Sequence, residues 1–134
     1  MAGYSGTPLA KKLGIKPEAR VALLSAPPGF EAELEGLPAG VVLRRRLAAG
    51  TDVVVLFTTT RRDLERRFAS AARAVHPAGS VWVAWPKKAS GIETDLTENA
   101  LREVGLPYGL VDNKVCAVDE TWSGLRFVWR LENR

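Results

Sequence analysis

At 134 residues the chain can bury one sizeable core, and a single domain over residues 1–134 is expected. Its 46% apolar and 25% charged residues suit a globular protein in water, and no run of about eighteen apolar residues exists to span a membrane. Cys116 is the lone cysteine and His76 the lone histidine, which excludes an intramolecular disulfide, a zinc finger and an iron–sulfur cluster, so no metal site is expected. The net charge of +4 is basic but modest, and nucleic-acid binding would need a patch rather than the excess alone.

The start of the chain lacks the basic-then-apolar layout of a signal peptide, which sets a cytoplasmic expectation. Glutamine is absent and charge is abundant; this fits a thermophilic source, and a GC-rich genome gives a similar bias. The first element is a short helix over about residues 7–14, with Thr7 suited to the N-cap, Pro8 to the first helical position and Gly14 to the residue past the end. Residues 20–26 form a continuous apolar run ending in Pro27, Pro28 and Gly29. A run without alternation indicates a strand buried on both faces, and hence a parallel sheet.

A short helical stretch over about residues 30–35 precedes a second strand at 41–44, placed near an edge by Arg44, Arg45 and Arg46. Residues 52–57 are the strongest strand signal and should be central. Thr58, Thr59 and Thr60 close that strand and can cap a helix over about 61–75, whose apolar face is Leu64, Phe68, Ala72 and Val75. The arginines of this helix mix with Asp63 and Glu65, which reads as a solvated face. His76 sits in a turn sequence, and residues 81–85 form a fourth strand stopped by Pro86. Trp82 and Trp85 should face opposite sides of it, with Trp82 in the core.

The next helix is expected from Thr94 or Asp95, with Asp95 and Glu98 as a capping box and Gly105 as its terminator. Strands at about 114–118 and 125–131 close the chain as an antiparallel hairpin around the loop 119–124. The fold expected is therefore a three-layer α/β/α domain, mostly parallel, with a C-terminal antiparallel hairpin.

The lead-in at 13–21, the strand–helix–strand over 52–83 and the closing hairpin resemble class I S-adenosylmethionine-dependent methyltransferases. That resemblance implies a Rossmann-like, methyltransferase-like sheet that has lost about one strand–helix unit after the second strand. A closer match lies in residues 3–10, 83–91 with 94–98, and 112–125, which resemble the bacterial family designated domain of unknown function 3052. It implies no activity, substrate or catalytic residue. The chain departs from the methyltransferase pattern at two places. The glycine-rich loop expected after the first strand is replaced by Ser25, Ala26, Pro27 and Pro28, and the acidic residue expected near the end of the second strand is replaced by arginines. Proline has no N–H to offer a cofactor and adds bulk where close approach is needed. No cofactor is therefore expected.

Loops after parallel strands emerge at one edge, where such folds bind ligands. That edge should collect Ser25, Thr58 to Thr60, the loop with Lys87, Lys88, Ser90 and Gly91, and the hairpin tip with Asp119 and Trp122. Lysine supplies charge and a helix start supplies amides, so a small anion or nucleotide is the ligand class expected. Asp119 and Glu120 could serve as acid and base, and an indole at a hairpin tip could mark a contact surface. Alternatives are a divergent methyltransferase-like enzyme, or a nucleic-acid or protein adaptor using Arg44 to Arg46, the arginine-rich helix and Trp122.

Overall fold

A computed structural model describes residues 7–134; the part of the 3–10 motif before Thr7 lies outside the described residues. Six strands form one sheet in the order β2-β1-β3-β4-β6-β5. They are β1 (Arg20–Leu24), β2 (Val42–Arg44), β3 (Val53–Phe57), β4 (Ser80–Pro86), β5 (Leu110–Ala117) and β6 (Trp122–Trp129). Strands β2, β1, β3 and β4 run parallel, and β6 joins β4 antiparallel before pairing with β5. The expected α/β architecture is present, with β2 at an edge and β3 inside the sheet.

Alternation along the apolar strands divides the core in two. Ala22, Val54, Leu56, Val81 and Val83 face one side, where α2 (Arg61–Ala74) and α3 (Glu98–Gly105) cover them with Leu64, Phe68, Leu101 and Val104. Val21, Val53, Val55, Phe57, Trp82 and Ala84 face the other side. There the cover is thin. It consists of α1 (Leu9–Lys12), the segment to Ala19, and a single 3-10 turn at Phe30–Glu33. Trp82 and Trp85 do point to opposite faces, and both are buried. The Trp82 indole donates to the carbonyl of Leu13 at 3.0 Å, which ties the α1 segment to the middle of the sheet. Burying a side chain of this size contributes upwards of about 2 kcal/mol, so the thin layer is held by few but large contacts.

Several boundaries differ from expectation. Pro8, not Thr7, stands at the N-cap of α1, and its carbonyl accepts from the amides of Lys11 and Lys12 at 3.1 Å each. Helix α3 starts at Glu98 with Thr97 as its cap, Oγ1 accepting from the amide of Ala100. Asp95 does not form the expected box with Glu98. Its Oδ1 accepts from the amide of Arg61 at 2.8 Å, so it serves the positive end of α2 instead. Gly105 does not end its helix by a left-handed turn. It has φ −82°, and the chain continues through a 3-10 turn at Leu106–Tyr108 to Gly109 at φ +96°. The hairpin strands begin earlier than expected, so Trp122 is the first residue of β6 rather than part of the turn.

The reason for glycine at 105 is space: a Cβ there would lie 2.5 Å from Cε1 of the buried Phe127 ring. Gly105→Ala should therefore destabilise the domain by about 1–3 kcal/mol through overpacking, although alanine is the better helix former. Urea unfolding checks this, and a variant as stable as the parent would show that Phe127 yields freely.

Candidate functional site

The carboxyl edge of the parallel strands collects the loops expected there. The hairpin reaches it because β6 is antiparallel to β4, with Pro86 opposite Trp122. The amide of Lys87 donates to the carbonyl of Thr121 at 2.8 Å and fastens the β4 loop to the hairpin. Beyond Lys87, a 3-10 turn at Lys88–Ser90 ends on Gly91 at φ +76°. Ser90 Oγ donates to the Lys87 carbonyl at 2.7 Å and accepts from the Ile92 amide at 3.1 Å. The serine shapes this loop.

The threonines are engaged in the same way. Thr60 caps α2 by accepting from the Asp63 amide at 3.1 Å. Thr58 is buried and donates to Asp63 Oδ2 at 2.7 Å, while the Thr59 carbonyl accepts from Thr94 Oγ1 at 2.6 Å. Burial pushes the Asp63 carboxyl up, but Thr58, Arg66 and Arg67 outweigh it and hold the group below the usual carboxylate range. The start of α2 thus receives two carboxylates of the chain itself, Asp63 and Asp95, where an external anion would otherwise be favoured. Ser25 is exposed with φ +57° and its Oγ accepts from Arg67 at 3.0 Å.

Two clusters at this edge carry distinct chemistry. Lys12 of α1, Lys87 after β4 and Lys114 of β5 come from three separate elements, and their charges all bear on the thiol of Cys116. Lys114 Nζ also donates to the Lys12 carbonyl at 3.3 Å. Burial pushes the Cys116 thiol up despite those three ammonium groups, so it stays protonated at neutral pH. Lys87 is half-buried within this group, whereas Lys88 is exposed on its turn.

The second cluster is a pair of carboxyls, Glu33 and Asp119. Asp119 Oδ1 accepts from the amides of Thr121 and Trp122 at 2.8 Å each, which fixes the carboxylate on the hairpin turn. Partial burial, the charge of Asp119 and a hydrogen bond with it raise the Glu33 carboxyl from 4.5 to about 7. The carboxyl that meets Asp119 is therefore Glu33, while Glu120 is exposed. No sequence motif marked Glu33, because it meets Asp119 only through the 3-10 turn after β1. Trp122 is half-buried, edge-on to Phe57 at 5.1 Å, and Phe57 is edge-on to Phe30 at 4.9 Å. This aromatic row joins the first loop to the hairpin.

A methyltransferase cofactor does not fit this arrangement. After β1 the Pro27 carbonyl accepts from the Phe30 amide, and the wholly buried Phe30 ring fills the space under the turn. Pro27 and Pro28 bring no N–H to the edge. Strand β2 ends in exposed Arg44, and the acidic residue that reaches the end of this strand, Glu31, is paired with Arg45. Among the described residues, no group of three or more His, Cys, Asp or Glu could hold a metal ion, and no helix is long and apolar enough to cross a membrane.

Because Glu33 binds its proton more tightly when folded, its contribution is fully present below about 4.5 and is lost as pH rises through about 7. Glu33→Gln should flatten the thermal stability across that window. The stability difference between variant and parent should grow with pH and level off above it. A constant difference across the window would mean that the carboxyls do not share a proton.

No family model matches the chain, and no curated protein matches it in sequence. Solved structures do resemble it. A SAM-dependent methyltransferase from Aquifex aeolicus superposes with TM-score 0.66 at 10% identity, over 89% of this chain and 86% of that one. PH0226 from Pyrococcus horikoshii gives 0.60 at 12%, over 92% and 87%. The DhpI–SAH complex gives 0.56 at 15%, over 92% and 83%. At these identities the likeness concerns the fold: the chain has the Rossmann-like α/β architecture of methyltransferases, on a six-strand sheet.

Proposed function

We propose that this divergent methyltransferase-like domain binds a small anionic ligand, such as a nucleotide or phosphorylated metabolite, without S-adenosylmethionine-dependent catalysis. The observation that supports the reading is the convergence of Lys12, Lys87 and Lys114 on one spot, the half-buried Cys116. Like charges drawn together repel, and an anion relieves that repulsion while gaining charge-assisted hydrogen bonds. Lys87 is the central residue because its backbone is fixed to the hairpin through Thr121. Lys88, Ser90 and Gly91 form the wall of the loop, and Trp122 and Asp119 form the opposite rim. The proline loop and the buried Phe30 argue against the methyltransferase cofactor, as described above.

Thermal shift and calorimetry with ATP, pyrophosphate and phosphorylated sugars test this reading. A double Lys87→Ala, Lys114→Ala change should weaken the ligand by about 1.5–3 kcal/mol, the worth of a hydrogen bond to a charged group. Lys88→Ala should change little. Equal binding by the double variant and the parent would refute the site. S-adenosylmethionine should show no saturable binding tighter than roughly 100 μM, about −5.5 kcal/mol. A polyanion response that is salt-sensitive, retained by the lysine variant and lost on replacing Arg44 to Arg46, would instead indicate nucleic acid.

A further inference from the structure

The opposite, amino edge of the sheet holds a cavity of about 350 Å³, formed where β1, β3 and β4 begin. Lys16, Glu18, Asp52, Gly79, Ser80 and Arg126 are among its lining residues. This volume is within the range of small-molecule sites, toward its lower end. None of Lys12, Lys87 and Lys114 lines it, although Lys114 of β5 is the register partner of Arg126.

Arg126 is the unusual member. It lies in the middle of β6, opposite Trp82, so its side chain leaves the sheet on the α1 side. A guanidinium carries five donors. Here the only hydrogen bond it makes among the described residues runs from Nη1 to Asn113 Oδ1 at a long 3.3 Å. The Nε is fully buried without a partner. No carboxylate of the described residues pairs with the group, although the other partly buried arginines, Arg61, Arg67 and Arg102, each have at least one acidic partner. The charge that bears on it is Arg134, of the same sign. Burial and Arg134 together hold the guanidinium below its ordinary range. Leaving a buried cationic donor unsatisfied is costly, and proteins retain such a group where something else completes it.

The carboxylates of the cavity do not supply that completion. Asp52 Oδ2 accepts from the amide of Arg20 at 2.8 Å, at the start of β1. Glu18 sits at φ 64° against Gly40, also on the β1 side. Strand β4 separates Asp52, at the head of β3, from β6, and β3 and β4 together separate Glu18 from it. The cavity is therefore polarised, with Arg126 at one end and the acidic residues at the other.

We propose that this amino-edge cavity is a second binding site, for a small molecule bearing a carboxylate or phosphate, with Arg126 as the anion-binding residue. The anion takes the guanidinium in a forked contact through its Nη groups, since the Nε is closed to solvent, next to Gly79 and Ser80, and Lys16 adds charge from the facing loop. The body of the ligand extends toward Asp52.

Titration of the intact protein with inorganic phosphate and with acetate, followed by ¹H–¹⁵N spectra, tests the proposal. The expected result is a saturable shift of the Gly79 and Ser80 amides and of the Arg126 Nε–H signal. Those shifts should persist in the Lys87→Ala protein, which separates this site from the carboxyl-edge one. Acetate alone active would indicate a carboxylate ligand, and phosphate alone a phosphorylated one. Arg126→Gln should weaken the response at Gly79 and Ser80 at least about tenfold, and Arg126→Lys, which keeps the charge but not the fork, should weaken it less. Because the mapping uses the parent protein, it decides the matter even if a variant is unstable. No shift at Gly79, Ser80 and Arg126 with either anion, or shifts of equal midpoint in Arg126→Gln, would overturn the assignment.

Discussion

Strand β4 sits where the sheet changes sense. All seven residues, Ser80 to Pro86, are buried, and the strand pairs parallel with β3 on one side and antiparallel with β6 on the other. Every other feature depends on this double pairing. It places the tip of the β5–β6 hairpin at the carboxyl edge, where the amide of Lys87 fastens to Thr121. It places Arg126, in mid-strand on β6, beside Trp82 and above the amino-edge cavity. A purely parallel continuation would have required a further crossover and would have left that edge without Asp119, Trp122 or Lys114.

The two faces are covered unequally, and this governs where polar groups gather. On the α2–α3 side, full helices with Leu64, Phe68, Leu101 and Val104 exclude water from the sheet. Charged residues there remain on the outer surfaces of the helices, as in the pairs of Arg61 with Glu65 and Glu103. On the α1 side a single helical turn and a 3-10 turn cannot cover six strands, so lysines and carboxyls approach the sheet itself. Lys114, Cys116 and Arg126 are residues of the hairpin on or beside that thin layer. Partial burial of their polar atoms follows, and with it the shifted groups Glu33, Cys116 and Arg126. Groups pushed toward their neutral forms gather on this incomplete layer, whereas Asp63, Arg61 and Arg102 on the helical face are pushed toward their charged forms by hydrogen bonds and ion pairs.

The chain has the methyltransferase-like fold of its structural neighbours, and the buried Phe30 ring fills the space under its first loop. Phe30, Phe57 and Trp122 form a continuous aromatic row across the carboxyl edge. Such a row gives rigidity where glycine loops would give close backbone approach. The threonines and carboxylates at the start of α2 are likewise closed on one another through Thr58, Thr60, Asp63 and Asp95. The edge has become a braced surface rather than an open cradle, and its charge lies to the side, in Lys12, Lys87 and Lys114.

The sequence by itself determined the parallel sheet, the antiparallel ending and the opposed faces of Trp82 and Trp85, because unbroken apolar runs and period-two alternation are local signals. It also determined that Thr60 caps α2, since capping needs only neighbours. Helix ends were less legible where a distant residue intervened. Asp95 serves a helix 34 positions earlier in the chain, and Gly105 answers to the Phe127 ring rather than to a turn. Of the candidate residues, the loops were legible and the partners were not. Lys87 was marked by its place after a strand, but Lys12 and Lys114 joined it only through the packing of α1 and β5. Glu33 met Asp119, and Arg126 came to line a cavity without a carboxylate partner among the described residues, through contacts between segments far apart in the chain. Local pattern fixes which face a residue takes. Only tertiary packing decides which charges then meet, because a charge's partner is set by distance in space and carries no periodic signature in the chain.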